Sequence, residues 1–158
     1  MIKDRFIIFP KKGFGHLKFG MYKDDVIKIL GEPTEVEDPD EDGDIKFIYE
    51  NKGINFLIFE KEEEYRLTYI ELNKMADAIL LGKKIFNLSF KQIEELLRLK
   101  GFTLKYENCI DDRESGDYQE LYISKEISFD FWFNKSKKLD EITFSVYINE
   151  QDEVEWPD

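Results

Sequence analysis

Apolar positions along this chain change period four times, and each change marks an element. Residues 23–30, KDDVIKIL, place Val26, Ile27 and Leu30 at i, i+1 and i+4, on one face, while Lys23, Asp24 and Lys28 face water, which predicts a short amphipathic helix. Asp24 and Asp25 fall in its first turn, where carboxylates oppose the positive end of the helix dipole. Gly31 closes it, and Pro33 bars its resumption. The period then shortens to two. Residues 45–50 (IKFIYE), 54–60 (INFLIFE) and 65–72 (YRLTYIEL) read as strands, separated by a turn at Asn51, Lys52 and Gly53 and by a charged turn at residues 61–64. Strict alternation in the last of these puts Leu67 and Tyr69 on one face and Thr68 and Ile70 on the other. The helical period returns at residues 90–100, with Ser89 as N-cap, Gln92 as its capping-box partner, Ile93, Leu96 and Leu97 as the inner stripe, and Gly101 as the stop. Strands follow again at residues 102–107, 118–124, 127–133 and 141–148, with a polar loop at 111–117 and a hairpin turn at 134–138. Residues 5–9 form an edge strand ended by Pro10, and residues 76–86 fit either a strand or a crossing loop.

The order of elements repeats. FLIFEKEEEYRLTYI and FWFNKSKKLDEITFS each send an aromatic strand into a charged turn and out through a second strand, and a glycine-terminated helix precedes each. The expected fold is therefore α+β, a tandem repeat of a short helix followed by an antiparallel β-meander, with the helices packed on the sheet. Residues 1–75 form the first unit and 76–158 the second, within one compact whole.

Composition sharpens this picture. The chain's 158 residues include 14 Phe and 8 Tyr, whose flat rings favour a pleated surface, and suffice for a sizeable core. A formal net charge of -12 repels nucleic acid and anionic lipid and favours a basic protein partner. Cys109 is the only cysteine, so no internal disulfide forms, and no apolar run approaches the ~20 residues of a membrane span. The N-terminal MIKDRFIIFPKK lacks the pattern of a secretory leader. A cytoplasmic protein is expected.

Candidate chemistry is sparse. Gly13, Phe14 and Gly15 lack the third glycine and the strand-turn-helix context of a dinucleotide site, and His16, the only histidine, has no Ser or Cys partner in view. Asp24 with Asp25, and Asp111 with Asp112, are adjacent pairs whose side chains point apart in any regular element, so neither forms a shared-proton dyad; two carboxylates converging from distant strands would leave no mark in the spacing, and no enzyme is expected. Asp38, Asp40, Asp42 and Gly43 match the D-x-D-x-D-G opening of a calcium loop, but Tyr49 stands where the closing bidentate carboxylate belongs and Glu50 comes one place late. This stretch is first a solvated acidic loop and second a weak calcium site; no other cofactor is expected.

Residues 19–33, FGMYKDDVIKILGEP, resemble the G-M-T/S-x-x-D/E-V-x-x-x-L-G-x-P helix of the β-lactamase-inhibitor-protein-like and outer-membrane assembly lipoprotein repeats, with Tyr22 where those families carry Thr or Ser. No lipoprotein leader with its cysteine precedes it, which sets the membrane-anchored members aside. An acidic protein of duplicated helix-plus-meander units is also similar to immunity proteins of bacterial polymorphic toxin systems. The resemblance implies a protein-binding inhibitor that neutralises a basic, nuclease-like toxin by covering its surface. The acidic residues Asp38, Asp40, Glu41, Asp42 and Asp44 would steer that partner, and the aromatic side chains of Tyr118, Tyr122 and Trp132 would anchor it. The alternative is a calcium-responsive or structural binding module.

Overall fold

The computed structural model describes residues 6–39, 41, 43–61 and 63–157. The chain is a mixed α+β protein, mostly antiparallel sheet, with two α-helices, α1 (Lys23–Leu30) and α2 (Phe90–Leu99). Four strands follow α1: β1 (Glu35–Glu37), β2 (Ile45–Tyr49), β3 (Ile54–Lys61) and β4 (Tyr65–Asn73). Four follow α2: β5 (Lys105–Asp112), β6 (Asp117–Ser124), β7 (Phe129–Phe133) and β8 (Leu139–Ser145). All eight join one antiparallel sheet in the order β5-β6-β7-β8-β4-β3-β2-β1, so the two meanders meet where β8 pairs with β4.

Both helices begin as the sequence predicts. The Ser89 N–H donates to Gln92 Oε1 at 2.9 Å and the Gln92 N–H donates to Ser89 Oγ at 3.2 Å, which satisfies two donors at the start of α2. At α1 the Tyr22 N–H donates to the Asp25 carboxylate at 3.2 Å, and Gly31, at φ 84°, returns its N–H to Ile27 O at 2.7 Å.

One face of the sheet carries the core. Phe47, Leu57, Phe59, Ile70, Leu72 and Ile142 are buried on it, together with the phenylalanine row Phe129, Phe131 and Phe133 of β7. Val26 of α1 and Ile93 and Leu97 of α2 enter the same cluster, so both helices cover this face. Burying each of these side chains stabilises the fold by roughly 1.5–3 kcal/mol.

Three expectations are corrected. In β4, Ile58 pairs with Tyr69 and Phe59 with Leu67, leaving Thr68 as an extra, bulged residue. The bulge shifts the alternation, so Leu67, Ile70 and Leu72 are all buried in the core while Tyr69 and Glu71 turn to the opposite face. Asp111 and Asp112 belong to β5, paired with Tyr118 and Asp117, rather than to a loop, and the first strand after α2 begins at Lys105, not at 102. Residues 76–86 form neither a long strand nor a plain loop but a two-stranded ribbon, Ile79–Leu80 against Lys83–Lys84, flanked by short 3-10 turns.

The N-terminal Ile8–Phe9, Gly13–Phe14 and Leu17–Lys18 make a small antiparallel ribbon. A Cβ on Gly13 would lie 1.9 Å from Leu17 O, so only glycine permits that approach. At the other end Val154–Glu155 pairs with Tyr147–Ile148. Trp156 then sits 5.2 Å from the Arg66 guanidinium, which stands equally close to the Tyr22 ring, and this pins the acidic tail to the first helix. No helix among the described residues is long and apolar enough to cross a membrane.

Candidate functional site

The face opposite the helices is open. Because side chains alternate across each strand, the residues between the core positions emerge there: Ile48, Phe56 and Ile58 on one side, Leu121, Ile123 and Trp132 on the other. All six are half-buried, and none belongs to the core or packs against it. Between the two apolar groups, along the β4–β8 seam, lie Tyr69, Glu71, Glu141 and Thr143, with Asp130 beside them on β7.

These polar side chains form a connected row. Asn73 Nδ2 donates to Asn55 Oδ1 at 2.7 Å, and Asn55 Nδ2 donates to Glu71 Oε2 at 3.1 Å. From the other side Gln119 reaches across β7 to donate to Glu141 Oε1 at 3.4 Å, and the fully buried Thr143 hydroxyl donates to Asp130 Oδ2 at 3.1 Å. Burial, followed by the charge of Glu141, pushes the Glu71 carboxyl up to about 7. Burial also holds Asp130 above the usual carboxylate range and raises the Tyr69 phenol, to which Asp130, Glu71 and Glu141 add. Three carboxylates thus stand close enough to perturb one tyrosine. The indole N–H of Trp132, directly opposite Glu141 across the β7–β8 pair, is buried with no hydrogen-bond partner.

Where the row reaches the end of the strands it opens into a shallow cavity of about 650 Å³. Four carboxylates line it, Glu37, Glu50, Glu71 and Glu141, with apolar wall from Ile48, Phe56 and Met75, and no lysine or arginine among the described residues lines it. Lys46, whose Nζ lies 5.3 Å from the centroid of the Phe56 ring, draws the Glu71 pKa down.

The residues singled out in the sequence are spread across the molecule. Asp38 and Glu41 are exposed and Asp44 is half-buried in the connection between β1 and β2, at one edge of the sheet. Asp40 and Asp42 lie outside the described residues. Among those that are described, no group of three or more His, Cys, Asp or Glu could hold a metal ion. Tyr118 and Tyr122 stand on β6, near the opposite edge. They project from the helix side of the sheet. Tyr122 packs 4.8 Å from Phe90 and 5.5 Å from Phe133, its hydroxyl accepts from Lys137 Nζ at 3.2 Å, and the Tyr118 hydroxyl donates to Glu120 Oε2 at 3.1 Å. Trp132 alone of the three aromatic residues lies on the open face. His16 is exposed, and Asp111 and Asp112 lie on the edge strand β5, apart from the central carboxylates.

Glu71, Glu141, Asp130 and Asn55, the polar centre of the open face, carry no motif. The sign of their convergence in the sequence is slight: acidic residues stand within three strands rich in apolar side chains. No protein-family model, curated protein or solved structure matches the chain.

Proposed function

We propose that this protein is a binding inhibitor of a basic protein, acting in the cytoplasm as an immunity protein does and occluding its partner with the open face of the sheet. It works by binding rather than by catalysis. The observation that carries this reading is the union, on one rigid face, of uncovered apolar side chains with carboxylates set among them. Aromatic and aliphatic side chains supply the desolvated contact, and the carboxylates select a cationic surface and repel an acidic one. The net charge of -12 accelerates encounter with such a partner and makes the rate fall with salt.

The rigidity of that face follows from the second part of the reading, that the chain is two copies of one helix-plus-meander unit. The order α1-β1-β2-β3-β4 and then α2-β5-β6-β7-β8, with the last strand of each meander at the seam, supports it. Joining the two through β4 and β8 gives a sheet wide enough to cover a partner without a moving part.

Affinity capture tests the reading. The protein, immobilised and exposed to a lysate of its source organism, is expected to retain a basic protein that arrests growth when expressed alone and is harmless when the two are co-expressed. Phe56→Arg with Ile58→Arg should abolish both capture and protection, whereas Leu99→Arg, on the exposed side of α2, should leave both intact. Recovery of no basic protein, or capture without protection, would defeat it.

A further inference from the structure

The carboxylate-lined cavity on the open face has a shape and a charge that the face as a whole does not. Its lining joins the carboxylates of Glu37, Glu50, Glu71 and Glu141 to the ring of Phe56 and the side chain of Met75. No lysine or arginine among the described residues lines it, and Lys46, whose ammonium lies over Phe56, acts on Glu71 from outside the lining. Two of the four, Glu71 and Glu141, are half-buried and hydrogen-bonded to each other, and burial has already removed much of their water. A carboxyl pair so bonded holds a proton, whose place a cation can take.

We propose that this cavity seats a single arginine side chain of the basic partner, with its guanidinium between Glu71 and Glu141 and its aliphatic stem along Phe56 and Met75. This deepens the proposed inhibitory reading and rests on it for the source of the arginine. Arginine suits the site better than lysine for geometric reasons. The two carboxylates come from adjacent strands and together present several acceptor oxygens, which a planar fork of five N–H donors meets better than a single ammonium does. The stem of an arginine is also long enough to cover apolar wall while its head stays paired. Asn55 and Gln119 already hold one oxygen each of Glu71 and Glu141, so both carboxylates are oriented before the guest arrives and less ordering is required on binding. Beyond the pair itself, Glu37 on β1 and Glu50 in the turn after β2 line the seat and Lys46 on β2 acts on Glu71, so the surroundings remain net negative.

The indole N–H of Trp132 and the side-chain amides of Asn55 and Asn73 report on the seat in proton–nitrogen correlation spectra. A capped tripeptide, Gly-Arg-Gly, titrated at low ionic strength is expected to move these signals saturably, and the same peptide with citrulline, equal in shape but uncharged, should not. Glu71→Gln with Glu141→Gln should weaken the arginine response about tenfold or more, as loss of a charge-assisted bidentate contact requires. The isosteric changes remove burial penalties rather than contacts with the core, so the remaining spectrum should be unchanged. Equal shifts from the citrulline peptide, or an undiminished response in the double variant, would overturn the seat. The broader reading fails separately: a captured basic protein whose retention ignores Glu71→Gln and Glu141→Gln refutes the seat alone, whereas a responsive arginine peptide with no basic protein captured refutes the inhibitor alone.

Discussion

Glu71 is where the cost of the open face is concentrated. Its carboxyl titrates at about 7 in the folded protein against an ordinary 4.5, because burial and the neighbouring Glu141 charge both favour the neutral acid. Between those two values the folded state holds a proton that the unfolded chain has released, so stability falls as pH rises through that window and is fully present only below about 4.5. Asp130, raised by burial, contributes in the same direction. The opposing groups are Lys46 on β2 and the Asn55 amide on β3, which favour the charged form and are outweighed. Glu71→Gln keeps the shape and removes the charge. It should raise stability by about 1 kcal/mol at pH 8, a figure reduced from the full shift because water still screens the half-exposed carboxylate, and by nothing measurable near pH 4. Urea denaturation of both proteins across that range measures the difference, and a variant less stable than the wild type at pH 8 would show that the carboxylate is held by attraction rather than tolerated.

At the scale of elements, what could be read from the sequence was what is local. The Ser89 and Gln92 capping box and the first turn of α1 depend on neighbours a few residues away, and each stands where the spacing put it, whereas the aromatic strand expected from residue 127 begins only at Phe129, after a short 3-10 turn at Lys125–Ile127. The face of β4 did not, because the bulge at Thr68 is set by pairing with β3 and leaves no local signature. For the same reason the candidate site stayed hidden: Glu71 and Glu141 are far apart in the chain and become neighbours only when β4 meets β8, whereas Asp38, Glu41 and Asp44 of the conspicuous acidic run go to the sheet's edge. Turns show a similar coupling between distant elements. Gly53, at φ 70°, ends the short turn between β2 and β3, and a Cβ there would lie 2.2 Å from Ala76 N and 2.6 Å from Met75 C in the turn that follows β4. Gly53→Ala therefore combines a left-handed backbone with a collision against main chain, and should cost about 2 kcal/mol or more in a thermal or denaturant melt. A smaller loss would mean that the two turns move apart freely, and the cavity beside Met75 with them.

The whole molecule hinges on the β4–β8 seam, since among the described residues no other strand pair joins the two meanders. Five residue pairs cross it, from Glu141 with Asn73 to Ser145 with Tyr69, and on the core side Ile142 meets Leu72 and Phe144 meets Ile70. Phe144 is the keystone of this seam. It stacks on Phe129 with centroids 4.8 Å apart and planes within 3°, and meets Phe19, in the lead-in to α1, edge-on at 6.1 Å. Its ring thus ties β7 and β8 to the start of the chain, so neither half can keep its own core when the other opens. Severed at the seam, β4 and β8 would each present a long unpaired edge with buried leucine and phenylalanine behind it, a surface that aggregates rather than folds alone. One cooperative transition is therefore expected. The fluorescence of Trp132, on β7, and Trp156, against Arg66, should fall together with far-ultraviolet circular dichroism in urea. Phe144→Ala should lower the stability by about 3–5 kcal/mol while keeping the transition single. Two separated midpoints in the wild type would instead make the halves independent domains, and an open face assembled from both could not then hold the rigid geometry on which selection of a cationic partner depends.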